Sequence, residues 1–189
     1  ACTVHPGTVS IVQGGSRAVG QALVQHRLIK AVGFTGSLTG GKALFDLCAT
    51  REEPIPFFGE LGSVNPMFLL PKAITNRGKD IASGWVSSLT MGAGQFCTNP
   101  GIAIVIDGTD AAKFINDVTT LLSKVDPQMM LTDGISNAYR AGCERMSSFD
   151  AAGQLQNESE ISRTALPQLF VTTGKNWLNK VELSEEVFG

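Results

Sequence analysis

The sequence predicts an α/β fold built on parallel strands, and three observations carry the prediction. Residues 8–61 run strand, glycine loop, helix, strand, helix, strand, the order of half a doubly wound parallel sheet. After Leu61 the style changes to longer helical stripes between short apolar runs, which marks a second α/β region. Hydrophobic residues make up 43% and charged residues 17% of 189 positions, a balance that suits a packed globular chain and not a disordered one.

Within the first region, residues 8–12 (Thr-Val-Ser-Ile-Val) alternate and are β-branched, so they read as a strand. Gly14 to Gly20 reads as a loop, and residues 21–30 as a helix with apolar Ala22, Leu23, Val24, Leu28 and Ile29. Residues 31–35 form a second strand. Gly36-Ser37 then opens a helix over 38–49, with Ser37 as its N-cap. The apolar run 56–61 is a third strand. In such a sheet the free N–H groups at helix starts face phosphates, and Gly20 and Gly36-Ser37 mark two such starts. The GxGxxG fingerprint is absent, so the glycine spacing alone is a weak signal.

In the second region, residues 65–70 and 102–106 read as strands, and 78–91 as a helix carrying Ile81, Trp85 and Leu89. Residues 111–122 are an amphipathic helix whose Phe114, Ile115, Val118 and Leu122 stripe belongs to the core. Asp133-Gly134 marks a turn before a helix over 136–150, which takes in Tyr139, Cys143 and Met146. Residues 166–172 are a short strand and 174–183 a loop.

Composition narrows the function classes. A net charge of −2 leaves no basic footprint for nucleic acid and no polybasic membrane patch. The apolar runs are too short to span a bilayer. Cys2, Cys48, Cys97 and Cys143 lack any C-x-x-C spacing, so neither a metal site nor a disulfide framework is expected, and free thiols point to the cytoplasm. His5 and His26, the only histidines, read as structural. Both ends read as internal points of a longer polypeptide.

The stretch most telling of chemistry is Gly92-Ala93-Gly94-Gln95-Phe96-Cys97-Thr98-Asn99-Pro100-Gly101. Glycines on one side and a Pro-Gly turn on the other would hold Cys97 on a bend, where a ligand can approach the main chain. A thiolate there is a candidate nucleophile. Taken alone, the stretch reads more readily as an inert buried cysteine beside a helix–strand turn.

Four pieces in order supply the context. They are Phe34-Thr35-Gly36-Ser37, Glu60-Leu61-Gly62, Gly94-Gln95-Phe96-Cys97 and Glu185-Glu186-Val187-Phe188-Gly189, with Cys97 lying 37 positions after Glu60. Together they resemble the aldehyde dehydrogenase superfamily over essentially the whole chain. Within it, Phe57 to Pro66 and Gly94 to Gly101 most resemble the 2-oxoglutarate semialdehyde (2,5-dioxopentanoate) dehydrogenases, and also NADP-linked fatty aldehyde dehydrogenases. Gly62-Ser63-Val64 stands where the wider family usually has Gly-Gly-Lys, a departure that suits the subgroup.

The resemblance implies an aldehyde dehydrogenase-like fold. Residues 1–60 would be the second half of a Rossmann-type NAD(P)-binding domain, and 61–189 most of an α/β catalytic domain. Cys97 would add to the aldehyde carbonyl and carry a thioester, and Glu60 would activate the hydrolytic water. A carboxylate beside Phe57, Phe58 and Leu61 is expected to be desolvated, which favours the neutral acid and poises it as a base. The main-chain N–H of Cys97 is a candidate oxyanion donor. Gly20, Gly36, Ser37, Leu61, Glu186 and Phe188 would contact the cofactor, Glu186 holding the nicotinamide ribose. Arg17, in the loop before Gly20, would pair a 2′-phosphate, which favours NADP with NAD as the alternative. Its other reading is a surface arginine.

The implied partners are a small aldehyde and further copies of the whole protein, in a dimer or tetramer. The alternatives are a medium- or long-chain aldehyde as substrate, or a fragment that keeps the fold without turnover.

Overall fold

A computed structural model describes residues 4–149, 152–154 and 163–189 of the chain. Two compact units divide it, Ala1–Gly62 and Ser63–Gly189. Cys2, and residue 150 at the end of the predicted 136–150 helix, lie outside the described residues.

The first unit begins with a 3-10 turn, Pro6–Thr8. Residues 8–12 do not form the predicted strand. No described strand pairs with them, and Ile11 is 82% exposed. β-branched alternation gives extended preference, but a strand needs a neighbour for its N–H and C=O groups. Helix α1, Arg17–Gln25, starts four residues before the prediction because Ser16 caps it, accepting from the Ala18 N–H at 3.2 Å. It stops at His26, well short of residue 30. The Arg51 guanidinium closes that end, donating to the carbonyls of Val24, His26 and Ile29.

Strand β1 (Val32–Gly36), helix α2 (Leu38–Ala49) and strand β2 (Phe57–Leu61) follow as predicted, to within a residue. β1 and β2 pair in parallel from Val32 opposite Phe57 to Gly36 opposite Leu61, with α2 as the crossover. Val24, Cys48 and Ile55 form the buried centre, flanked by Leu44, Leu47 and Phe57.

A second parallel unit opens the rest of the chain. β3 (Met67–Leu69) and β4 (Ala103–Val105) pair in parallel across helix α3 (Pro71–Leu89). Pro71 occupies the first turn, where its missing N–H costs nothing. Arg77, at φ −137°, breaks the helical run, so the predicted start at Gly78 marks only the second segment of α3. Helix α4 (Thr109–Leu122) lies on α3. Trp85 and Phe114 stack with centroids 5.9 Å apart, and Val86, Val118 and Leu122 complete that core.

Beyond α4, β5 (Gln128–Met129) precedes helix α5 (Asp133–Ser147) and β6 (Ala152–Gln154). β7 (Thr164–Ala165) and β8 (Leu169–Val171) follow, pairing antiparallel with β5 and β6 respectively. Asp133-Gly134, expected as a turn, forms the first turn of α5, because Thr132 caps the helix through the Ile135 N–H. Residues 174–183, expected as loop, hold helix α6 (Gly174–Asn179), capped by Thr173, and most of a 3-10 turn, Val181–Ser184. Among the described residues no helix is long and apolar enough to cross a membrane.

Candidate functional site

The cysteine loop is built by backbone strain and side-chain amides. α3 ends at Leu89, and Met91–Gly94 follows as a tight turn. Gly92, Ala93 and Gly94 all have positive φ, at 58°, 56° and 72°. Glycine adopts this region freely, whereas Ala93 does so at a cost. The Ala93 N–H is held at 2.7 Å by Gln128 Oε1. Gln95 reaches both ways, donating to the Gly92 carbonyl at 2.9 Å and accepting from the Leu131 N–H at 3.0 Å.

Cys97 itself sits on a β-turn closed by the Asn99 N–H and the Phe96 carbonyl at 3.0 Å. Its thiol is free and exposed. No described residue accepts from its N–H, so that donor is available to a developing oxyanion. Cys97 is therefore not the buried cysteine that the stretch alone admitted. Among the described cysteines, Cys48 and Cys143 are buried.

Two asparagines that the sequence reading passed over pin this turn. Asn65 Nδ2 donates to the carbonyls of Cys97 and Asn99, at 2.8 and 2.9 Å. Asn99 Nδ2 donates to the carbonyls of Leu89 and Gly94, at 3.1 and 2.9 Å. Trp85 Nε1 adds a bond to the Pro100 carbonyl at 2.7 Å. The available signal was the Asn-Pro pair, which occurs at 65–66 and again at 99–100 and marks irregular backbone.

The tail carrying Glu186 and Phe188 reaches the same loop. A Cβ on Gly94 would lie 2.4 Å from the Gly189 carbonyl carbon, so the two backbones touch. Val187 packs over Gly142 of α5, and Arg145 meets Glu185 at 3.6 Å. Glu186 is half-buried, and Phe188 is exposed.

In the first unit the parallel register brings four of the predicted residues to one end of the β1–β2 pair. Thr35 lies opposite Glu60 and Gly36 opposite Leu61, and the Gly62 N–H bonds the Gly36 carbonyl at 3.2 Å. Ser37 caps α2, accepting from the Gly40 N–H at 3.2 Å. The Leu61 side chain packs on Gly41, where a Cβ would come within 2.0 Å of it. Glu60 is exposed, and the desolvation expected from Phe57 and Phe58 is not provided by this unit, where Phe58 itself is 67% exposed.

Arg17 and Gly20 stand elsewhere than expected. Arg17 is the first residue of α1, not a loop residue, and it is exposed. Gly20 lies inside α1 with open space where its side chain would be, so no close approach in this unit requires glycine there. Among the described residues no cluster of His, Cys, Asp and Glu could hold a metal. A cleft of about 320 Å³ opens at the α3 kink beside Arg77, Lys79, Asp110 and Lys113, and none of its lining residues belongs to the cysteine loop.

Comparison with known proteins agrees with this architecture. The aldehyde dehydrogenase family model matches residues 1–136. Alpha-ketoglutaric semialdehyde dehydrogenase 2 of Azospirillum brasilense is 40% identical over 97% of the chain. Alpha-ketoglutaric semialdehyde dehydrogenase of Acinetobacter baylyi is 39% identical over 98% of it. The chain spans about a third of each relative's length, 35% and 36%. A proline utilization A structure from Bradyrhizobium japonicum superposes with a TM-score of 0.76 at 24% identity, covering 93% of this chain and 18% of that one. The chain has an aldehyde dehydrogenase-like α/β fold, and it belongs to the aldehyde dehydrogenase family.

Proposed function

We propose that this chain carries the catalytic cysteine of an NAD(P)-dependent dehydrogenase that oxidises 2-oxoglutarate semialdehyde to 2-oxoglutarate. The observation that carries the reading is Cys97, a free exposed thiol on a pinned turn with its own N–H unengaged. The names of the two semialdehyde dehydrogenase relatives favour the substrate. The pieces read as the end of a cofactor domain, residues 1–60, and most of a catalytic domain, 61–189.

The residues present fit a nicotinamide dinucleotide. At the start of α2 the Leu38 and Thr39 N–H groups have no acceptor among the described residues, and the Phe34 ring lies against Gly36 and Gly40. A helix start of this kind suits a pyrophosphate. Gly36, Ser37 and Leu61 would hold the dinucleotide, and Glu186 and Phe188 its nicotinamide end. Gly20 would lie on the adenosine side. When bound, the nicotinamide supplies the hydride acceptor.

Cys97 forms the bond to the aldehyde carbon and holds the acyl group as a thioester. Its N–H stabilises the oxygen that becomes negative. Glu60 takes a proton from water, the water oxygen bonds the acyl carbon, and the thiolate leaves. Arg17 favours NADP, its guanidinium matching a 2′-phosphate.

The test is reduced-nicotinamide formation from 2-oxoglutarate semialdehyde with each cofactor. Turnover that Cys97→Ala abolishes supports the reading. Activity that survives Cys97→Ala overturns it. Preference for a long-chain aldehyde would favour the fatty aldehyde alternative.

A further inference from the structure

Asn65 is an unusual residue for its place. It stands directly before Pro66 with φ at +38°, one of two non-glycine residues of positive φ among those described. Asn tolerates this region better than most residues, though not for free. What the conformation achieves is a side-chain amide whose two hydrogens go to two different carbonyls, those of Cys97 and Asn99, 32 and 34 positions away. The acceptors flank Thr98 in the β-turn that carries the thiol. Asn99 in turn ties the loop back to the last residue of α3. The peptide after Cys97 is thereby tied to the residue two before β3, and the Cys97 N–H has no partner among the described residues.

We infer that Asn65 is a positioning residue: its amide sets the orientation of the Cys97 thiol and N–H, acting through the carbonyls of Cys97 and Asn99. The catalytic consequence rests on Cys97 being the nucleophile. The positioning itself does not. A turn held at one carbonyl can pivot, and a turn held at two cannot, which is the geometric use of a donor with two hydrogens. Misplacement of a nucleophile by about an ångström can cost roughly a hundredfold in rate.

Two variants separate the amide from the backbone. Asn65→Asp keeps the shape and the tolerance for positive φ, but it replaces the donors with a carboxylate facing two carbonyls. Asn65→Gly accepts the backbone angle more easily than asparagine and removes the side chain. The readouts, on the whole 189-residue chain, are amide hydrogen exchange at Asn99 and Gly101, whose N–H groups bond the Phe96 and Asn99 carbonyls, and the iodoacetamide alkylation rate of the Cys97 peptide by mass spectrometry. Exchange in α4 is the internal reference.

Both variants should speed exchange at Asn99 and Gly101 about tenfold and change Cys97 alkylation at least about threefold, with α4 unchanged. Wild-type exchange and alkylation in Asn65→Gly would overturn the inference, even if Asn65→Asp failed to fold. Aldehyde turnover, read alongside, should lose kcat with the cofactor KM unchanged. A wild-type chain without Cys97-dependent turnover would count against the catalytic reading only, and the exchange result would still decide the role of Asn65.

Discussion

Gly94 and Gly189 are in backbone contact: a side-chain carbon on Gly94 would sit 2.4 Å from the carbonyl carbon of Gly189. This contact joins the turn before Cys97 to the segment that carries Glu186 and Phe188. It needs the missing Cβ of Gly94, whereas a Cβ on Gly189 would meet Met130 and Tyr139; both residues take positive φ, 72° and 138°. Gly94→Ala should therefore destabilise the second unit by about 1–3 kcal/mol, from strain at positive φ and from the clash with the Gly189 backbone and the Asn99 amide. Gly84→Ala is the control, in the interior of α3 with open space around it. It should stabilise by roughly 0.5–1 kcal/mol. Urea midpoints of the two variants check the pair, and equal shifts would contradict the contact.

Arg51 holds the end of α1 by donating to three carbonyls that no helical N–H can reach. Arg51→Lys keeps the charge but loses the fork geometry. It should cost about 1–2 kcal/mol in the first unit and leave the second unaffected. Residue-resolved hydrogen exchange would show the loss confined to residues 17–55.

The thiols should separate by exposure. Cys97 is exposed, while Cys48 and Cys143 are 1% and 8% exposed. Alkylation at neutral pH, read peptide by peptide, should label Cys97 at least about ten times faster than either buried thiol. Comparable rates would mean that the loop does not present the sulfur to solvent.

Tyr139 and Cys143 give the second unit an alkaline limit. Burial pushes both groups up, and each raises or tempers the other through their mutual contact. Both are neutral when folded, so the unfolded chain releases its protons first. The stability they contribute is complete below the ordinary thiol value of 9.0 and declines as pH rises toward the elevated folded values. Denaturant midpoints at about pH 7 and about pH 10 should show that decline, as tyrosine and thiol ionise in the unfolded chain. Tyr139→Phe should flatten it, while losing the 2.6 Å bond to the Leu166 carbonyl.

Arg17→Ala tests the cofactor preference. Arg17 is exposed at the first position of α1, free to meet a phosphate. The KM for NADP should rise about tenfold or more while that for NAD barely moves, as expected for loss of a charge-assisted pair. Equal effects on both would remove the case for NADP.

What the sequence determined by itself was local. Helix α2 was legible to the residue because Ser37 caps it and its apolar positions repeat at helical spacing. The break before Cys97 was legible because Gly92 and Gly94 permit angles that other residues resist. The order of the motifs carried the family.

Tertiary structure decided whatever depends on a distant partner. The extended run at residues 8–12 has the propensity of a strand but no described neighbour, so it stays unpaired. Glu60 sits among apolar neighbours in sequence yet is exposed, because alternation along β2 says nothing of what covers each face. The pinning of Cys97 by Asn65 joins residues 32 positions apart through one amide. No periodicity encodes such a bond, since its geometry arises only when β3 and the cysteine loop have been brought side by side.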